Sequence, residues 1–284
     1  MAACDRSHEH RRRARLCSRA RPATTWTLGV VLSGPGGLEN LVASVDFYDV
    51  EIEGAIAPLD SVFVYSKCFN ADGASNPDLV LDDPGGWCRL IGRNAVTGER
   101  AQVDAPFFNS GVLETAGVDM TVNWTWDVGP GSFYINAVGS ILDEFKTQDN
   151  PDSPIFDAAG TLDQGGQFDY KLFTTFGYSF TNSIVGLSWR HLPSIEDETA
   201  ADDPDTRILG VGSYDMFNFF ARYSFSERFE LRAGIDNLFD EDPPVVGRDP
   251  GTATITPDAN RGTTRADYYD ILGRRAYVGL KMSF

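Results

Sequence analysis

The sequence predicts an all-β fold, an antiparallel transmembrane β-barrel segment of about nine strands with long extracellular loops and short periplasmic turns. Three observations carry that prediction. From residue 24 onward apolar residues recur at every second position, which is the strand period and not the helix period. The connections between these runs alternate strictly between short and long. Aromatic residues gather where the short connections would lie.

The first two runs, Trp26 to Leu32 and Leu41 to Phe47, are the weaker ones. In 118–128, Val118, Met120, Val122, Trp124, Trp126 and Val128 alternate with Asp119, Thr121, Asn123, Thr125 and Asp127. The next strand sets Phe133, Ile135, Ala137, Gly139 and Ile141 opposite Ser132, Tyr134, Asn136 and Ser140. Residues 168–180 set Phe168, Tyr170, Leu172, Thr174, Phe176, Tyr178 and Phe180 against Asp169, Lys171, Thr175 and Ser179. Val185, Leu187 and Trp189 follow, then Phe217, Phe219, Ala221, Tyr223 and Phe225. Phe229, Leu231, Ala233 and Ile235 face away from Glu230, Arg232 and Asp236. The final run is Ala276, Val278, Leu280, Met282 and Phe284, against Arg275, Tyr277, Lys281 and Ser283.

A soluble β-sandwich alternates in the same way, so the connections decide between water and lipid outside. Short links at 33–38, 128–131, 181–183 and 226–228 alternate with long ones at 53–110, 143–167, 192–212 and 240–270. Outer-membrane barrels have this asymmetry, and ten residues at ~3.4 Å rise, tilted ~45°, span the ~24 Å of their apolar band. Trp124, Trp126, Phe133, Phe180, Phe225, Phe229 and Phe284 would then share one bilayer interface, outer-membrane lipid being the solvent of that face. The opposite face offers Asp119, Asn123, Asn136, Lys171, Arg222, Arg232, Asp236 and Lys281 as lumen-facing candidates, as in any barrel with a polar interior.

Composition closes several other routes. A formal charge of −17 argues against nucleic acid as a partner, which needs clustered Lys and Arg. An aromatic content of 12% argues against disorder. No apolar run approaches the ~20 residues of a membrane helix. Residues 1–22 are a different text: seven Arg, one Asp and one Glu give +5, which leaves 17 bases against 39 acids in 23–284. This leader lacks an apolar signal core and reads as a disordered basic tail or a misassigned start. The acidity sits in loops such as EDETAADDPD (196–205), FDEDPP (239–244) and DEFKTQDNPDSP (143–154). None has the ligand spacing of a calcium loop, so no metal site is expected.

Cys68 and Cys88 lie together in the 53–110 loop, where an oxidising compartment favours their pairing over two free thiols. The three histidines, His8, His10 and His191, form no zinc motif and no Ser-His-Asp set, so no catalytic residue and no cofactor are expected. GVGSYD at 210–215 lacks the last glycine of a dinucleotide fingerprint and leads into a strand. The Asn123-Trp124-Thr125 sequon lies inside a strand.

The segments FELRAGIDNLFDEDPPVVG (229–247) and YYDILGRRAYVGLKMSF (268–284) closely resemble the last two strands of TonB-dependent outer-membrane receptors. Asn237-Leu238-Phe239 and Tyr269-Asp270…Gly273-Arg274-Arg275 carry the resemblance, and TTWTLGVVL (24–32), VDFYDVEIEGAI (45–56) and NSGVLETAGVDM (109–120) extend it over about 23–284. The resemblance implies energised uptake of a scarce nutrient, a ferric siderophore, vitamin B12 or a glycan, through a plugged barrel of about 22 strands coupled to the TonB complex. Val278, Leu280, Met282 and Phe284 resemble the terminal signal read by the barrel-assembly machinery. Neither plug nor TonB box is detectable, so 23–284 is expected to be the C-terminal portion of the barrel and non-functional alone. An odd strand count points the same way, because an all-antiparallel barrel closes on an even one. The alternative is a small self-contained porin or adhesin with one further strand.

Overall fold

Alternating β-branched and aromatic residues suit a pleated surface buried on one side, and they set the strands. The computed structural model describes residues 23–34, 38–58, 61–82, 86–94, 96–104, 107–148, 154–162, 167–196, 210–244, 266 and 268–283. The 1–22 leader, nearly all of the acidic 196–205 loop and Phe284 lie outside these residues. The elements are β1 (Ala23–Ser33), β2 (Leu41–Pro58), α1 (Ser61–Cys68), a single 3₁₀ turn at Trp87–Leu90, β3 (Ile91–Arg93) and β4 (Arg100–Val103). They continue with β5 (Phe107–Val128), β6 (Gly131–Thr147), β7 (Phe156–Asp157), β8 (Tyr170–Phe180), β9 (Ser183–Leu192), β10 (Tyr214–Ser226), β11 (Phe229–Asp236) and β12 (Arg275–Met282). One sheet runs β1-β2-β5-β6-β8-β9-β10-β11-β12, with β7 added to β6, and β3 pairs with β4 separately. Nine strands thus follow one another in chain order, as the alternation predicts. Among the described residues β1 and β12 each have a single neighbour, so the sheet is open at both edges.

Two of the long connections differ from expectation. β2 continues to Pro58, β5 already begins at Phe107 and β6 reaches Thr147, so the 53–110 and 143–167 loops are partly strand. In β2 the alternation continues through Val50-Glu51-Ile52-Glu53 with its faces exchanged: the parity that carries Val45 and Phe47 carries exposed Asp49, Glu51 and Glu53 further on, while Val50 and Ile52 are half-buried. The remainder of the first connection is not plain loop either, since it holds α1, the 3₁₀ turn and the β3–β4 hairpin.

The chain forms two compact units. The loop unit includes Val50–Glu114 and Lys146–Asp157, and the sheet unit comprises Thr25–Asp49, Thr115–Phe145 and Ala158–Phe284. In the loop unit, Phe63, Val64, Cys68, Cys88 and Ile91 make a small core, with Tyr65, Trp87, Leu90 and Val103 packed on it. Cys68 and Cys88 are disulfide-bonded across 20 residues. Asn76 organises the segment between them: its side chain donates to the carbonyls of Cys68 and Val80 and accepts from the Val80 N–H.

In the sheet unit the register from β6 to β12 assigns paired strand residues to a face. On the apolar face Phe176 pairs with Ile135 and Leu187, Leu187 with Phe219, Phe219 with Ile235, and Ile235 with Ala276. A chain of ring contacts marks its short-turn end: Trp124–Trp126 at 4.3 Å, Trp126–Phe133 at 5.7 Å, Phe133–Tyr178 at 4.6 Å and Tyr178–Phe180 at 5.6 Å. A second aromatic group at the long-loop end joins Tyr170, Trp189, His191 and Phe217, with Trp189 Nε1 donating to Asp215 Oδ1. Along β8, Tyr170 and Phe180 are ten residues apart on one face, ~24 Å of height for a strand tilted ~45°. That spacing equals the apolar band between two interfacial girdles.

Candidate solute-facing surface

The polar face of the sheet unit is built in successive rows. Nearest the short turns, Glu230 stands opposite Lys281 and Ser224. Next comes Ser132–Ser179–Ile184–Arg222–Arg232, in which the two arginines are directly opposed across β10 and β11. Glu230 accepts from Arg232 Nε at 2.6 Å and lies 3.7 Å from Arg222 Nε. The third row is Tyr134–Gly177–Gly186–Phe220–Gly234–Tyr277. Here each ring lies over a glycine: a methyl group at Gly177 would fall within the Tyr134 ring, one at Gly186 against Phe220, and one at Gly234 against Tyr277. Above it Asn136, Thr175, Ser188 and Asn218 form a row of amides and hydroxyls, with Asn218 Nδ2 donating to Ser188 Oγ at 3.1 Å.

Of the expected inward residues, Arg222 and Arg232 are neighbours, Lys281 faces Glu230, and Asp236 pairs with Arg275 at the far end of β11. Asn136 is opposite Thr175 and Lys171 opposite Ser140. Asp119 and Asn123 lie on β5, on the side of the strand opposite Trp124 and Trp126. Lys171 lines a recess of about 280 Å³ with Tyr48, Thr115, Ser140, Phe145 and Gln167, and its ammonium stands 5.6 Å from the Phe168 ring.

The long-loop end of the same face carries a second core. Leu162, Phe168, Leu192, Ile195, Val211, Tyr214 and Tyr269 are buried together, drawn from three different long connections and the strand ends they join. Backbone bonds tie the first two connections together, Leu162 N–H to Glu196 O and Glu196 N–H to Gly160 O, and a reciprocal pair between Ile195 and Val211 closes the second on itself. Leu192 pairs with Tyr214 and Arg190 with Met216 on the polar face, so this core lies on that face. Alternation could not reveal it, because its members come from irregular segments.

The motif residues that carried the family resemblance hold this core to the last hairpin. Asn237 is wholly buried; its side chain donates to Glu241 O and accepts from the Glu241 N–H, while Asn218 Oδ1 takes the Asn237 N–H. Asp240 accepts the Arg274 N–H at 2.8 Å. Arg190 donates to the Tyr268 carbonyl. Asp270 accepts from Arg275 Nη1 and the Leu272 N–H, both at 3.0 Å. Burial pushes the Asp270 carboxyl up, and these donors outweigh it and hold the group below the usual carboxylate range. Asn237, Asp240 and Gly273 all adopt positive φ, at 50°, 60° and 67°, which short polar residues and glycine tolerate best.

Among the described residues no group of three or more His, Cys, Asp and Glu is placed to hold a metal ion. The surface presents arginines, amides and rings.

The family model for the TonB dependent receptor-like β-barrel matches residues 22–238. No curated protein matches the sequence. Among solved structures, the ferric enterobactin receptor PfeA of Pseudomonas aeruginosa superposes with a TM-score of 0.55 at 15% identity, over 92% of this chain and 31% of that one. The siderophore receptor PirA of Acinetobacter baumannii gives 0.52 at 15% identity, over 92% and 32%. The copper transporter OprC gives 0.50 at 12% identity, over 92% and 31%. The chain thus spans about a third of the length of each of these structures. With the matched residues running through β1 to β11, the chain belongs to the TonB-dependent receptors, the outer-membrane uptake family whose β-barrel its strands build.

Proposed function

We propose that residues 23–284 are the C-terminal part of the barrel wall of a TonB-dependent receptor for energised uptake of a ferric siderophore, vitamin B12 or a glycan. On this reading the polar face lines the lumen, the apolar face meets outer-membrane lipid, and the loop core of Phe168, Tyr214 and Tyr269 roofs the path of the solute. Ala276, Val278, Leu280 and Met282 on the lipid side of β12 present the chain to the barrel-assembly machinery. The supporting observation is the open sheet, in which nine strands follow in order and each edge strand has a single neighbour among the described residues. Each unpaired backbone group in hydrocarbon costs several kcal/mol, so these nine strands alone do not make a stable pore. Transport then needs further strands, a plug and contact with TonB.

Planar-bilayer recording and protease digestion of the 284-residue chain test this. The expected result is no conductance and rapid digestion, with a protease-resistant, heat-modifiable barrel restored when further strands and a plug are co-expressed. A stable monomeric pore from this chain alone would overturn the proposal in favour of a self-contained barrel.

A further inference from the structure

We propose that the recess beside Lys171 is a subsite for one acidic sugar unit, with its carboxylate on the Lys171 ammonium and its hydroxyls along the arc of Gln167, Ser140, Tyr48 and Thr115. The inference rests on the reading of this face as the solute path, and from the solutes that reading allows it selects a carboxylate-bearing glycan.

Size is the first argument. The recess holds about 280 Å³, just under the ~300–1,000 Å³ of pockets for drug-sized ligands. A single sugar ring suits such a space, whereas a whole ferric complex or a corrinoid does not enter it. Four strands adjacent in the sheet, β2, β5, β6 and β8, supply Tyr48, Thr115, Ser140 and Lys171. Gln167 and Phe168 come from the connection before β8, and Phe168 is also a member of the loop core. The recess therefore adjoins the proposed roof of the path.

The order of the polar groups is the second argument. Lys171 is exposed and stands opposite Ser140 across the β6–β8 pair. Its Nζ donates to Gln167 Oε1 at 3.4 Å, which leaves two of the three donors of an ammonium for a carboxylate. Among the described residues Lys171 makes no ion pair, and the charge that acts on it is another cation, Arg190. Asp169, two residues earlier on this face, has its carboxylate against Gly160. At the other end of the arc the Thr115 and Ser140 hydroxyls are hydrogen-bonded to the Tyr48 phenol, and the carboxylate that acts on this phenol is Asp119. The recess thus has a positive end and a negative end joined by hydroxyls. A ligand with one carboxylate and several hydroxyl donors answers both ends. A polyanion meets Asp119, and a neutral sugar leaves Lys171 without a counter-charge. Gly117 shapes the arc, since a methyl group there would fall 2.5 Å from Tyr48 Oη.

Outer membranes from cells expressing the gene in place, titrated with digalacturonate and with digalactose, test the inference. Digalacturonate is expected to bind at least about tenfold more tightly, as for a charge-assisted hydrogen bond. Lys171→Gln should abolish that preference and Lys171→Arg should retain it. Ser140→Ala should weaken both sugars without changing their ratio, which separates the hydroxyl arc from the charge. Equal binding of the two sugars, or a preference that survives Lys171→Gln, would overturn the subsite. The face assignment is measured separately with a water-soluble thiol reagent on Ser140→Cys and Val278→Cys, the labelled peptide being identified by mass spectrometry. Labelling at 140 with shielding at 278 is expected. The reverse pattern would overturn the reading of this face as the solute path and the inference with it, whereas the expected pattern with equal sugar binding would overturn the subsite alone.

Discussion

The two folded loop regions of this chain solve the same problem by different means. Segment 61–104 has a core whose members are close in sequence, and a single disulfide across 20 residues closes it. The core of Leu162, Phe168, Ile195, Tyr214 and Tyr269 gathers residues more than 100 positions apart from three connections, and is held by ring packing and by backbone bonds between two of them. The first is stabilised chiefly by limiting its unfolded ensemble, the second by apolar area removed from water. A local covalent constraint can thus act independently of its surroundings, whereas a core assembled from distant loops exists only if every contributing hairpin is in register.

The largest effect is expected from Phe168→Ala, at about 3–5 kcal/mol, because a wholly enclosed ring leaves a cavity. Hydrogen exchange should show protection lost together in 158–162, 192–195, 211–214 and 268–270. Protection confined to one connection would mean that the three loops are not a cooperative unit. Next is Cys68→Ser with Cys88→Ser, at about 3 kcal/mol for a loop of this size. Limited proteolysis should then cut within 61–104 while the strands from β8 to β12 keep their protection. A smaller loss, about 1–2 kcal/mol, is expected from Asn76→Ala, which removes the bonds to Cys68, Val80 and the Val80 N–H. It should be visible as faster exchange at Val80 with the disulfide intact.

Acid gives the finest comparison. Asp270 in the second region and Asp72 in the first both titrate below the usual carboxylate range, Asp72 because Lys67, Ser75 and the Ser75 and Ala74 N–H groups bond to it. A lowered folded-state value means that the stabilisation is complete above the unfolded carboxyl value of about 3.9 and is lost as the pH falls through the folded one. The Asp72–Lys67 pair is the more solvent-exposed, with 31% of the carboxylate side chain accessible against 12% for Asp270. Added salt should therefore weaken the first region's acid dependence and leave the second's largely unchanged. Protease susceptibility between pH 5 and pH 2 at two ionic strengths measures it, and equal salt sensitivity in the two regions would remove the distinction.

Much of the sheet was legible in the residues themselves. A period of two admits only two assignments of face, and Trp124, Phe176, Leu187, Phe219 and Leu231 leave only one compatible with a buried side. The turns followed from the same text, since Gly129-Pro130 and Thr181-Asn182 interrupt alternation within two residues. The extensions of β2 and β5 were legible only through the family resemblance of 45–56 and 109–120, and that of β6 to Thr147 was not, because Asp143, Glu144 and Lys146 interrupt its apolar alternation. On the polar face, parity already placed Tyr134 and Tyr277 on the same side of the sheet as Arg232. Which glycine each ring covers is a matter of register between strands, as is the meeting of Arg222 with Arg232. The strand count and the sidedness follow from local periodicity and short turns, which are properties of neighbouring residues, and the family resemblance from the motifs around Asn237-Leu238-Phe239 and Gly273-Arg274-Arg275. The tertiary structure decided the ring-on-glycine row, the arginine pair and the loop core beneath Tyr269. Those depend on contacts between residues up to about a hundred positions apart, whose closure only the assembled sheet supplies.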